Sequence, residues 1–161
     1  MISTRAIVLT VALTLFATAA AAAEGDEILG LWHTEPEDHG YARIEVTKEN
    51  ERYDGRIIWL SEPDYPADDE GGMGGKPKID RENPAPELRG RPIVGIRLLA
   101  DFEYTGKGQW KRGTIYDPKN GKTYKCNIKL QGEETLKVRG YIGMSLLGRT
   151  TIWKRAEEQA R

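Results

Sequence analysis

Few residues in this sequence have the types and spacing that chemistry requires. His33 and His39 are the only histidines, and they flank a segment that also holds Glu35, Glu37 and Asp38. Imidazoles beside carboxylates are zinc donors, but this separation within a loop is not a ligand spacing. A second acidic group, Asp64, Asp68, Asp69, Glu70, Asp80 and Glu82, falls between 61 and 91. Oxygen donors suit calcium, yet the twelve-residue EF-hand pattern is absent, and Gly71-Gly72-Met73-Gly74-Gly75 would not pre-organise ligands. The segment reads as a solvated acidic loop. Cys126 alternates with polar neighbours and is expected to be a buried, inert thiol. There is no Gly-x-Ser-x-Gly, His-Glu-x-x-His, phosphate-binding loop or dinucleotide fingerprint. No catalytic residue, cofactor or metal is therefore assigned. The geometry that would indicate an enzyme is His33 or His39 within hydrogen-bond reach of a carboxylate inside a cleft.

Binding chemistry has better candidates. Arg89 and Arg91 flank Gly90, and Arg149 stands further along the chain. Guanidiniums gathered at one mouth would hold a carboxylate or phosphate head group. The competing reading is that they pair with Asp80, Asp117 or nearby carboxylates to pin the loop. Trp59, Tyr116 and Tyr124 would grip an apolar or sugar ligand, or would fill the interior and leave no cavity.

These side chains need elements to position them. Apolar residues alternate with polar ones at period two, and turn residues punctuate the runs, which predicts eight strands. The predicted strands are 30–34, 41–48, 53–60, 92–102, 109–116, 122–130, 135–142 and 147–155. Asn83 followed by Pro84 predicts a short helix to Leu88 within the long third connection. One dry and one wet face per strand, with mostly short turns, implies an antiparallel meander. The fold class is all-β, an eight-stranded up-and-down barrel, because closure removes exposed edges. A two-sheet sandwich is the alternative. In a meander, odd-numbered connections share one end. Segments 33–40, 61–91, 117–121 and 143–146 meet there, so both long loops lie at one mouth, where binding residues are expected.

The chain has 161 residues, 24 Lys and Arg, 25 Asp and Glu, and one Cys. That length suits one domain. The near-neutral balance argues against nucleic-acid binding, and one Cys excludes an internal disulfide. Arg5, the apolar run Ala6–Ala17 and the alanines ending at Ala23 form a secretory signal pattern. The run is shorter than the roughly 20 residues of a membrane span. The expectation is a cleaved segment 1–23 and a single barrel domain over 24–161, periplasmic or secreted, with net charge −2 and no membrane span.

Gly30-Leu31-Trp32 resembles the Gly-x-Trp start of lipocalin-like (calycin) barrels, in which a basic residue of the last strand packs over the tryptophan. In a closed meander Arg155 is placed to do so over Trp32. Further segments are Asp80-Arg81-Glu82-Asn83-Pro84, 88–95, Ile115-Tyr116-Asp117-Pro118, Gly121-Lys122-Thr123-Tyr124, 136–141 and 148–153. With these, the chain resembles the secreted bacterial family catalogued as domain of unknown function 2147. The resemblance implies a periplasmic lipocalin-like barrel and supplies no catalytic residues. The function expected is reversible binding of a small, mainly apolar or amphipathic molecule at the long-loop end. The alternative is a filled barrel acting as an envelope interaction or structural module, with an enzyme of unknown type third.

Overall fold

A computed structural model describes residues 24–37, 40–144 and 146–157. The expected export segment 1–23 and His39 lie outside the described residues. The strands are β1 (Gly30–His33), β2 (Ala42–Glu49), β3 (Arg52–Leu60), β4 (Arg97–Tyr104), β5 (Gln109–Asp117), β6 (Lys122–Gln131), β7 (Thr135–Tyr141) and β8 (Gly148–Arg155). Each pairs antiparallel with the next, and β1 with β8, so the sheet closes into a barrel in sequence order. Closure leaves no unpaired strand edge, which is the physical reason a chain of consecutive hairpins settles here rather than as an open sheet.

Period-two alternation sorts the side chains. On β6, Cys126 and Ile128 are buried while Lys125 and Lys129 are exposed. On β7, Leu136 and Val138 point in and Lys137 points out. Burial pushes the Cys126 thiol up to about 12, so it is protonated and shielded. It is expected to resist Ellman's reagent in the native protein at mildly alkaline pH and to react at once in guanidinium. Stoichiometric labelling of the folded protein within minutes would contradict that placement.

The short-turn end is closed by the residues before β1. A 3-10 turn over Asp26–Ile28 seats Ile28 in the core. Asp26 accepts hydrogen bonds from the Tyr53 hydroxyl at 3.0 Å and Lys48 Nζ at 3.2 Å. The Trp32 indole donates to the Ile28 carbonyl at 2.8 Å. The Arg155 guanidinium lies 4.2 Å above the Trp32 ring and donates to the backbone carbonyls of Glu133, Leu29 and Glu27. Trp110 and Phe102 fill the interior beside them.

Three local expectations change. Strand β4 begins at Arg97 rather than Pro92. Gly95 takes a left-handed φ of 100°, and its N–H bonds to Ile57 O, so 92–96 runs as a loop beside β3. The predicted helix is a single 3-10 turn, Pro86–Leu88. Asn83 does not cap it; its Oδ1 accepts from Ala85 N at 2.9 Å, forming a turn two residues earlier. On β3, Ile44 pairs with Ile57 but Arg43 pairs with Trp59, so Ile58 is an extra residue. This bulge reverses the strand's parity, and Trp59 emerges outside.

Candidate functional site

A cavity of about 1050 Å³ opens at the long-loop end. Its deep wall is apolar, built from Ile57, Leu98, Ile115, Val138 and Trp153, while Tyr116 and Tyr124 line it nearer the rim. Ile57, Ile115, Tyr124, Val138 and Trp153 come from the inward faces of their strands, whereas Leu98 is the extra residue where β4 slips against β3 and Tyr116 follows Ile115 at the end of β5. Small residues make the space: Ala42 and Gly140 also line it. A Cβ added at Gly140 would meet Ile115 Cγ2 at 3.3 Å. The interior is therefore packed at the Trp32 end and open at the other.

The segment between β3 and β4 folds over this mouth and is held by a clasp. Asp80 is fully buried. Its carboxylate accepts from the Tyr116 hydroxyl at 2.6 Å, from Asn83 Nδ2 at 2.7 Å, and from Arg91 Nε and a terminal nitrogen at 2.9 and 2.8 Å. Arg89 Nε donates to the Asn83 carbonyl at 2.7 Å. Burial, then the hydrogen bond to Asp80, push the Tyr116 hydroxyl up to about 12, so it stays a donor. Gly121, at the β5–β6 turn, has φ 68°, and a Cβ there would sit 1.8 Å from Glu82 O. Only glycine permits that turn and that approach. The loop is thus riveted to β5 and to the following turn.

A second tie crosses the rim. Glu37, in the β1–β2 connection, accepts from Arg149 at 2.7 Å and also from Lys119. The Lys119 hydrogen bond, with the charges of Lys119 and Arg149, holds the Glu37 carboxyl below its ordinary range, against burial that pushes the other way. A lowered folded-state value means the tie is at full strength above the ordinary glutamate range and is lost as pH falls through the lowered value. Uptake of a fluorescent apolar probe is therefore expected to be flat with pH from neutrality down to that range and faster below it. Glu37→Gln is expected to be fast throughout, in stopped-flow mixing. A Glu37→Gln rate equal to wild type at neutral pH would contradict the tie.

The candidate residues are divided by this geometry. Tyr116, Tyr124 and Arg149 line the cavity. Arg89 and Arg91 do not reach it; they belong to the clasp, the pinning arrangement, because the buried Asp80 charge demands a partner. Trp59 lies on the outer face, where its ring is 5.6 Å from Tyr41 and Arg43 stacks over it at 5.4 Å. Trp32 and Arg155 close the opposite end. His33 is also on this outer face, its Nε2 accepting from Arg43 Nε at 3.2 Å. Burial and then the Arg43 charge lower its pKa. Among the described residues its side-chain hydrogen-bond partner is the Arg43 cation and no carboxylate. Among the described residues no group of three His, Cys, Asp or Glu side chains is arranged to hold a metal ion.

The sequence reading missed Lys78 and Arg81, which line the cavity from the long loop. Arg81 donates from one terminal nitrogen to both Asp69 carboxylate oxygens, and its guanidinium stacks 4.4 Å from the Tyr65 ring. Among the described residues Lys78 makes no hydrogen bond through its ammonium, and its ion-pair partner Glu62 has its oxygen 3.9 Å away. Both lie in a segment without periodicity, so no pattern pointed them inward.

No curated protein matches the chain. A solved structure does: a Helicobacter pylori protein, HP1028, described as belonging to the lipocalin family, shares 25% identity with a TM-score of 0.68, covering 81% of this chain and 84% of that one. The family model described as an uncharacterised protein conserved in bacteria (DUF2147) matches residues 30–155. That span runs from the first residue of β1 to the last of β8. The chain belongs to this bacterial family, DUF2147, and its fold is a closed, lipocalin-like barrel.

Proposed function

We propose that this protein is an exported carrier that reversibly holds a small, mainly apolar or amphipathic molecule in the cavity at the long-loop end. The observation that carries the reading is the cavity itself: about 1050 Å³, walled by apolar side chains of the strands, with its charged lining residues on the connections or near strand ends. Small-molecule sites have this size and this distribution of polarity, and an eight-stranded barrel is just wide enough to hold one such ligand. A barrel filled by Tyr116 and Tyr124 would have no such space, so the interaction-module reading loses its main support. Affinity comes from burying ligand carbon against Ile57, Leu98, Ile115 and Val138. Orientation comes from the rim, where Lys78 offers unfilled donors and Arg149 stands beside Glu37. Export rests on the N-terminal pattern of Arg5, the apolar run and the alanines.

Native mass spectrometry tests the reading. Protein expressed with its N-terminal segment and purified at neutral pH is expected to carry an adduct that is lost on denaturation, or to take up oleate when it is supplied. A bare polypeptide mass in both conditions would overturn it.

A further inference from the structure

The near-neutral total conceals two oppositely charged halves. Residues 24–104 hold ten Lys and Arg against twenty Asp and Glu, whereas residues 105–156 hold twelve against three. In a barrel that runs in sequence order, this division becomes spatial: β5 to β8 form a basic wall. Among the described residues, six of the ten cations of the other half, Lys78, Arg81 and Arg91 among them, sit in ion pairs. Arg97 pairs with Asp54 and Asp101, Arg52 with Glu103, and Lys48 with Asp26. On the basic wall, Lys111, Lys125, Lys129 and Lys137 are exposed and make no ion pair among the described residues. Lys129 stands directly opposite Lys137 across β6 and β7. Like charges in that position cost stability, so folding alone does not explain them.

The same half carries the exposed apolar loop. Ile142, Met144, Leu146 and Leu147 are 68%, 68%, 81% and 70% exposed. Residues 135–156, the β7–β8 hairpin, contain no carboxylate. Ile142 and Leu147 also line the cavity, so the apolar surface is continuous from the loop tip to the interior.

We propose that the β5–β8 wall docks on an anionic lipid surface, with the 142–147 loop inserted at its interface. The occupant follows from the pairing of features. A short exposed loop of apolar side chains inserts into acyl chains, and cations flanking such a loop are what an anionic lipid surface recruits. Of the unpaired lysines, Lys125 stands nearest the loop, opposite Tyr141, while Lys129 and Lys137 lie toward the short-turn end; spread along the wall, they meet anionic head groups when it lies against such a surface. Docking there brings the cavity mouth to a source of amphipathic molecules, although docking itself does not depend on what the cavity holds.

Co-sedimentation of the full chain with vesicles is the test. Binding is expected to vesicles of phosphatidylcholine with phosphatidylglycerol, at least about tenfold tighter than to phosphatidylcholine alone, and to weaken as salt rises. Met144→Ser/Leu146→Ser is expected to lose about tenfold in vesicle affinity while keeping its uptake of an apolar probe, because neither residue lines the cavity. Lys111→Glu/Lys125→Glu is expected to lose at least as much. Equal binding to both vesicle types, or to neither, would overturn the proposal. So would binding to soluble heparin that matches vesicle binding and ignores the loop substitutions, which marks a general polyanion patch. A concentration-dependent dimer abolished by Met144→Ser/Leu146→Ser would assign the loop to a second copy instead.

Discussion

Asp80→Ala is expected to destabilise the protein by about 3 kcal/mol and to free the segment between β3 and β4 from the mouth. Removing one partner of a buried pair leaves the others uncompensated, at about 3–5 kcal/mol. The lower value applies because the Arg91 side chain is 39% exposed and can rehydrate. The Tyr116 hydroxyl and Asn83 amide cannot do so as easily and lose their acceptor. The loss has a local share. Asp80 joins the loop to β5, so tryptic cleavage after Lys78 or Arg81 is expected to accelerate in native buffer. Asp80→Asn keeps an acceptor for Tyr116 and should fall between wild type and alanine. Denaturant melts read the first effect and limited proteolysis the second. A loss below about 1 kcal/mol with unchanged protease resistance would show that the clasp does not hold the loop.

Trp32→Ala is expected to cost about 3–5 kcal/mol, the usual range for truncating a fully buried large aromatic. Trp32 is completely buried and joins three pieces of structure. Its ring supports the Arg155 guanidinium, its N–H reaches the turn before β1, and its strand pairs with both β2 and β8. Losing the ring leaves a void and frees Arg155 from the position in which it binds three carbonyls. Trp32→Phe keeps much of the apolar area but removes the indole donor and part of the ring volume, so about 1–2 kcal/mol is expected. Whatever fraction of either variant remains folded should still bind an apolar probe, since Trp32 closes the end away from the cavity. A Trp32→Ala protein as stable as wild type would mean that this closure is not what holds the short-turn end together.

The parts of the fold legible in the sequence were those governed by period two. Alternation on β2, β6 and β7 marked the buried faces, and the parity of connections put both long loops at one mouth. The failures have local causes. Trp59 lies near the mouth end of its strand, as expected for a ligand-gripping ring, but the extra residue at Ile58 turns it to the outer face, and nothing in Arg56-Ile57-Ile58-Trp59 announces a bulge. Pro92–Ile96 carries strand-like apolar residues, yet Pro92 lacks an N–H and Gly95 turns left-handed, so the ladder starts later. Arg89 and Arg91 could serve a ligand or the loop. Only the three-dimensional position of Asp80, buried against Tyr116 on a different strand, decides between them. The charge division was present in the sequence throughout. A whole-chain total near zero cancelled it, and the closed barrel turns a division along the chain into one between two walls.

The most direct measurement of the central claim is a titration with N-phenyl-1-naphthylamine, a neutral apolar fluorophore, followed by its own emission and by energy transfer from Trp153 in the cavity wall. Wild type is expected to bind one probe with saturable enhancement. Gly140→Phe places a ring in the cavity at a position where the backbone is ordinary and the added Cβ meets Ile115 and Tyr124 at 3.3 and 3.7 Å. It is expected to bind at least about tenfold more weakly, a difference of roughly 1.4 kcal/mol, with little change in stability. Saturable binding unaffected by Gly140→Phe would place the probe elsewhere. Absence of saturable binding by the folded wild type would contradict the account that this barrel holds a small apolar molecule.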